Sequence, residues 1–230
     1  MSHLPQISEN SHPTHTIEDY LMTMHVMERD QGEIVAARLV EQLKVTHPTV
    51  AMTLKRMERD GWISGKGSQG GIHLTETGRV AAHSVVRRHM LTEWLLLKIL
   101  KVPFLQIHDE AHHLEHAISA SLEERLIDVL GDPQVCPHGN PLPGFEGVTR
   151  NWIPLIEMSV GQKVIIRRLH EFAEDNQDLL RYLLESGIMP GAETTIHQVL
   201  PFNQTLTLMI GNQPVVLGFA AARSLYGETA

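Results

Sequence analysis

A single cysteine among 230 residues rules out an intrachain disulfide framework. A reducing, cytoplasmic setting fits that scarcity. Aromatic residues make up only 5% of the chain, and no apolar run is long enough to span a bilayer. The opening stretch, MSHLPQISENSHPTHT, is polar throughout, so neither a secretory signal nor a membrane segment is expected. An excess of positive charge is missing too. The net charge of −8 argues against indiscriminate binding to nucleic acid. Hydrophobic residues nevertheless reach 42%, enough to build a core.

The charge that is present is unevenly placed. Residues 33–101 carry 11 Lys and Arg against 6 Asp and Glu, while the rest of the chain carries 8 against 21. A basic segment in an acidic protein suggests one surface made for a polyanion. The pattern of that segment agrees. Thr16 can cap a helix whose apolar stripe is Ile17, Tyr20, Leu21, Met24 and Met27, ending near Gly32. IVAARLVEQL is a short second helix through Leu43, and KVTHP is a turn. Thr46 then caps a third helix, with Pro48 in its first turn, Val50, Leu54 and Met57 facing inward, and Gly61 as the stop. WISGKGSQGGIHLT follows as a glycine-tipped hairpin. Helix, short turn, helix and hairpin is the layout of a winged helix-turn-helix, whose second helix enters the major groove of DNA. On that reading Thr46, Thr49, Met52, Thr53 and Arg56 point outward toward the DNA, with Pro48 among the DNA-binding residues, Lys44, Lys55, Arg56 and Arg59 lie near phosphates, and Lys66 sits on the wing tip.

TETG opens a long helix running to about Leu100, where Pro103 breaks the pattern, and a further helix covers about Ile107 to Leu130. GDPQVCPHGNPLPG is dense in glycine and proline and reads as a linker or boundary loop. Beyond it KVIIRRL, TLTLMI and parts of AETTIHQV and PVVLGFA look like strands, with DLLRYLLESG a short helix among them. The expected fold is a mainly α N-terminal winged helix-turn-helix with a helical dimerisation domain, followed by a small all-β barrel like a Src-homology-three domain. The expected bounds are 1–75 for DNA binding, 76–140 for metal binding and dimerisation, 141–154 for a linker and 155–230 for the barrel.

The stretch HDEAHHLEH concentrates metal-ligand chemistry. On a continuous helix His108, His112, Glu115 and His116 share one face, and imidazole with carboxylate suits Mn, Fe(II), Co or Zn. His89 and Glu93 form a second pair one helical turn apart. Asp19 and Met22 share a face of the first helix and could close a site from the side. Taken singly, His25, His83 and His113 read as satisfied surface histidines, and Cys136 with His138 as structural. His112 to His116 also spells H-x-x-E-H, the signature of inverted zinc peptidases, with Glu115 as general base. That alternative explains neither His108 nor His89 and Glu93, and it leaves the winged helix idle, so no enzyme is expected.

TIEDYL, HPTVAMTLKRMERDGWI, LTETGR, RRHMLTEWLL, HDEAHHLEH, CPHGNPLPG and EMSVGQKVIIRRL with GIMPGAE together resemble the DtxR/MntR family of metal-dependent transcriptional regulators, over about Thr16 to Gly227. The resemblance implies a cytoplasmic homodimer that binds a palindromic operator on double-stranded DNA when loaded with Mn(II) or Fe(II), and a C-terminal barrel of the FeoA type. It implies that His89, Glu93 and His108 form an ancillary metal site and Asp19, His112, Glu115 and His116 a primary one. Three positions depart from the pattern. Asp19 stands where iron-sensing members have methionine, and His112 where they have cysteine and manganese-sensing members have glutamate. Met22 stands where manganese sensors have a carboxylate. Glu174 and Gln177 match the extra ligands that some members add from the barrel. Replacing sulfur by Asp and His hardens the site, which puts Mn(II) first, Fe(II) second, and Zn(II) or Co(II) after them. Trp94, Leu95, Ile99, Leu114, Ile118 and Leu122 form the candidate dimer surface.

Overall fold

The computed structural model describes residues 12–65 and 71–230. The chain divides after Val86 into two compact units. In the first, α1 (His15–Gln31) buries Ile17, Tyr20, Leu21, Met24 and Met27, the stripe that the helical period marks. Gly32 ends it in left-handed backbone, its N–H reaching Glu28 O. Next come α2 (Ala36–Gln42) and α3 (His47–Arg59). The Thr46 side chain accepts the Thr49 N–H and caps α3, and Pro48 sits in the first turn, where no N–H is needed. Val50, Leu54 and Met57 face the core. β1 (Ile63–Ser64) pairs antiparallel with β2 (His73–Leu74). Lys66, expected on the tip between them, lies outside the described residues.

Thr75 accepts the Gly78 N–H at 3.0 Å as α4 (Glu76–Trp94) begins. A Cβ at Gly78 would lie 1.9 Å from Trp62 O, so glycine alone lets this helix start against the hairpin. α4 continues into the second unit. Instead of running on regularly to Leu100, it widens into a π-helical turn at Leu95–Ile99, where Leu100 N–H reaches Leu95 O at 3.0 Å.

The helix expected from Ile107 to Leu130 is two helices. α5 (Ile107–Leu114) passes into a 3₁₀ turn over Glu115–Ala117, Ile118 is extended, and α6 (Ala120–Leu130) starts afresh. The cause is Ser119. Its hydroxyl accepts the Leu122 N–H, so the chain gains a capped new helix by leaving the old one. The glycine- and proline-rich stretch expected as a linker or boundary loop is a loop, but a packed one: residues 136–143 are buried. Leu169 N–H reaches His138 O at 2.8 Å, and the Asn140 carboxamide donates to Leu169 O at 2.8 Å, so the loop is bonded along a strand edge. Gly139 makes this possible, since a Cβ there would lie 1.9 Å from Arg167 O.

The rest of the second unit is β3 (Ile153–Pro154), β4 (Lys163–Leu169), α7 (Glu171–Glu174), α8 (Gln177–Glu185), β5 (Glu193–Leu200), β6 (Thr205–Ile210), β7 (Gln213–Gly218), α9 (Phe219–Ser224) and β8 (Leu225–Thr229). Six strands form one antiparallel sheet in the order β3-β8-β4-β5-β6-β7. Leu155, Ile166, Ile196, Leu206 and Leu208 fill its core. Period-2 alternation on β4 places Arg168 inward with Val164 and Ile166. A buried guanidinium needs partners, and it finds Asn140 Oδ1, Glu171 at 3.7 Å and the Tyr226 ring at 4.9 Å.

Candidate metal centre and DNA-facing helix

α4 places His89 and Glu93 one turn apart, α5 brings His108, and the short α7 brings Glu174. One ligating atom from each of these four lies within 4.8 Å of the others. Glu93 is fully buried. Its Oε1 is 3.4 Å from His89 Nε2, 3.3 Å from His108 Nδ1 and 3.1 Å from His138 Nδ1. Glu174 Oε2 is 2.8 Å from His108 Nδ1 and 3.3 Å from His138 Nδ1. The other Glu174 oxygen is held by Asn140 Nδ2 at 2.6 Å, and Asn140 is held in turn by Arg168. A buried chain from the sheet therefore aims Glu174 at the imidazoles.

This cluster fits a divalent cation. Glu93 Oε2 and His138 Nε2 are buried without a hydrogen-bond partner. Such atoms cost free energy unless something fills the gap, and carboxylate with neutral imidazole is the ligand chemistry of first-row divalent metals. Without a cation the groups hold one another's charge. Burial pulls His89 down, but Glu115 and Glu93 outweigh it and raise its pKa to about 10. Burial opposes charge on His108 and His138 as well, and the surrounding carboxylates raise both. Burial pushes Glu93 up, yet His138, His108 and His89 hold it well below the usual carboxylate range.

A second grouping centres on Glu115, also fully buried. His89 Nδ1 is 2.5 Å from its Oε2, while His112 Nδ1 and His116 Nε2 approach its Oε1 at 3.4 and 3.5 Å. Burial raises the Glu115 carboxyl, and His89 and His112 overcome that to bring it to about 2. The break after α5 matters here. His108 and His112 lie on the helix, whereas Glu115 and His116 lie on the 3₁₀ turn, so the four do not share one regular helical face as expected. Asp19 and Met22 are half-buried on α1 of the first unit. Gln177 turns elsewhere, its Nε2 donating to Asp109 at 3.1 Å.

His138 and Cys136 are more than the structural pair their loop suggests: each offers a donor atom to a group with Glu93, all within 4.8 Å. The Cys-x-His pair was the one signal in the sequence, and the bonding of its loop to β4 is what brings it to Glu93. Burial, then Glu93 and Glu174, push the Cys136 thiol well up, so it stays protonated at neutral pH. His25, read as a surface residue, is buried with its ring centroid 4.9 Å from that of His83. His113 is exposed, with Nδ1 2.6 Å from Asp109 O.

The outward side of α3 and of the turn before it is largely open to solvent. Met52 is 70% exposed, Lys44, Thr46, Pro48, Lys55, Arg56 and Arg59 are exposed, and Thr49 and Thr53 are half-buried. Arg59 and Arg56 share Asp60, at 2.8 and 3.6 Å.

Residues 12–70 match the N-terminal DNA binding domain of iron dependent repressors, residues 75–144 their metal binding and dimerisation domain, and residues 153–229 the FeoA domain. The iron-dependent repressor IdeR of Mycobacterium leprae is 33% identical over 224 residues, covering 93% of this chain and 96% of that protein. The diphtheria toxin repressor of Corynebacterium diphtheriae is 35% identical over 190 residues, covering 79% and 84%. Among solved structures, a manganese-dependent transcriptional repressor in complex with manganese has a TM-score of 0.82 at 29% identity, covering 93% of this chain and 100% of that one.

Proposed function

The chain belongs to the DtxR/MntR family of metal-dependent repressors, and from that premise we propose that it is a cytoplasmic homodimer that binds a palindromic operator when loaded with Mn(II). The observation carrying the choice of metal is the donor set. His89, Glu93, His108 and Glu174 offer only nitrogen and oxygen, and in the primary site Asp19 and His112 stand where iron sensors have sulfur. Asp19 enters on the resemblance alone. Fe(II) is the second reading, favoured by the softer Cys136 Sγ beside Glu93 and His138. Zn(II) and Co(II) follow, since raw affinity rises along the series and geometry must restrain it. The peptidase alternative loses its general base, because Glu115 is fully buried and bonded to His89.

A bound divalent cation supplies the positive charge that lets clustered carboxylates and imidazoles stay together. The chain's own residues do the rest. Asn140 and Arg168 aim Glu174, the primary-site ligands order the DNA-reading head, and Thr46, Thr49, Met52 and Thr53 face the base edges. The residues that would hold the metal would couple to DNA binding if they bind it more tightly in the DNA-competent arrangement, in which two recognition helices meet successive major grooves about 34 Å apart. Exposed Ile99, Leu114 and Leu122 support a dimer surface, whereas Trp94 donates to Val135 O and Ile118 is buried within the chain. We assign DNA binding to 1–75, metal binding and dimerisation to 76–140, a connecting segment to 141–154 and the barrel to 155–230.

The test is selection of genomic fragments by the purified chain with chelator, Mn(II), anaerobic Fe(II) or Zn(II). A palindrome enriched with Mn(II) alone is expected. Enrichment with Fe(II) alone would overturn the choice of metal, and enrichment with none would overturn the function. Arg56→Ala is expected to weaken operator binding and to lower the salt slope of log affinity by roughly 1. An unchanged slope would show that Arg56 meets no phosphate.

A further inference from the structure

His89 belongs to both groupings of ligand side chains. Its Nε2 lies 3.4 Å from Glu93 Oε1 and 3.2 Å from His108 Nδ1, inside the ancillary cluster. Its Nδ1 lies 2.5 Å from Glu115 Oε2. Glu115 in turn presents Oε1 to His112 and His116. His89 is 5% exposed and Glu115 is 0% exposed, so bulk water is poorly placed to replace the bond between them.

We propose that His89 is a positioning residue as well as a ligand: its imidazole links the two metal sites, so that loading one raises the affinity of the other. The proposal rests on the metal-site reading above. With its Nε2 lone pair given to a cation, the ring has only the Nδ1 N–H left to donate, and that nitrogen lies 2.5 Å from Glu115 Oε2. Ligation at Nε2 also fixes the plane of the ring and hence the direction of that N–H. Glu115 is then held with Oε1 toward His112 and His116 before its own site fills. A metal-ligating histidine that donates its second N–H to a carboxylate is a common arrangement, and losing such a partner weakens metal binding by roughly 10–100-fold. Here the carboxylate is itself a ligand of the second site. The orienting bond therefore becomes a path between sites, and linkage makes the effect reciprocal.

The test is Mn(II) titration of the full chain, with free Mn(II) followed by electron paramagnetic resonance, on wild type, His108→Ala, His89→Ala and the double variant. The readout is the dissociation constant of the site that His116→Ala removes. Emptying the ancillary cluster with His108→Ala is expected to weaken that site about tenfold, at the low end of the effect of removing an orienting partner. In the His89→Ala background the same substitution is expected to change nothing further. Additive effects would mean that the influence of the ancillary cluster on the second site does not pass through His89. His89→Gln replaces His89→Ala if the latter does not fold, since an amide reaches one neighbour but not both. The link is overturned if His108→Ala leaves the second site unchanged, or weakens it equally with and without His89. If wild type binds no Mn(II) at either site, the metal reading falls and the link with it. Two sites that fill independently would remove the link alone.

Discussion

Replacing His116 or Asp19 by alanine is expected to abolish metal-dependent DNA binding while leaving the fold intact. Operator affinity in Mn(II) should drop to the metal-free level, a loss on the order of 100-fold, as for a typical allosteric coupling. His116 sits on the turn after α5, with its Nε2 3.5 Å from Glu115 Oε1. Neither it nor Asp19 is fully buried, so truncation opens no large cavity and strands no enclosed charge of the kind that unfolds a protein. Thermal melting in chelator should therefore match wild type within a few degrees. The two measurements separate a lost ligand from a damaged core. A variant that still gains operator affinity on adding Mn(II) would sink the primary-site assignment for that residue. Glu115→Ala would be a poorer probe, because it would leave His89 facing the space of a deleted buried carboxylate.

What could be read from the sequence follows how local each signal is. α1, α3 and the start of α4 carry their information within a few residues: an apolar stripe at period 3.6, Thr46 before Pro48, and Thr75 before Gly78. These were legible, and so was the outward set on α3, which is what remains once Val50, Leu54 and Met57 turn inward. The break after Leu114 was not, because Ala117 to Ser121 keeps enough apolar and small residues to pass for a helix, and one serine hydroxyl decides it. β8 was missed because LYGET looks like a poor strand. Gly227 is required there, since a Cβ would lie 2.4 Å from Val164 Cγ1. α9 has six residues, too few to show a period. His138 depended on a long-range event, the bonding of its loop to β4 through Gly139 and Asn140. The candidate donors on α4 and α5 show in their spacing and Glu174 in the resemblance, but their convergence with His138 needed the tertiary fold.

The buried cluster also sets how chelation should change with pH. Burial opposes charge on His89, yet Glu115 and Glu93 bring its folded pKa to about 10 from an ordinary 6.5. A raised pKa adds stability that is fully present below about 6.5 and is lost as pH climbs toward 10. His108 and His138 are raised as well and act in the same direction. Glu115, lowered to about 2 from 4.5, adds stability above 4.5 that is lost only as pH falls toward 2. The metal-free chain is thus expected to be most stable near pH 5–6.5 and to weaken on the alkaline side. Between pH 6.5 and 9 the His89 contribution alone falls by on the order of 3 kcal/mol, at about 1.4 kcal/mol per pH unit. For a chain of this size that corresponds to roughly 10 °C in Tm. A loaded cluster holds its imidazoles neutral across the same range and has no such proton to lose. The gap in Tm between Mn(II)-loaded and chelated protein should therefore widen as pH rises from 6.5 to 9. Glu93→Gln should shrink that widening, because it removes one of the two carboxylates that hold the His89 charge. A gap that stays constant over this range would mean that the buried imidazoles carry no proton in the metal-free chain, and that the cluster is kept together by something other than its own ion pairs.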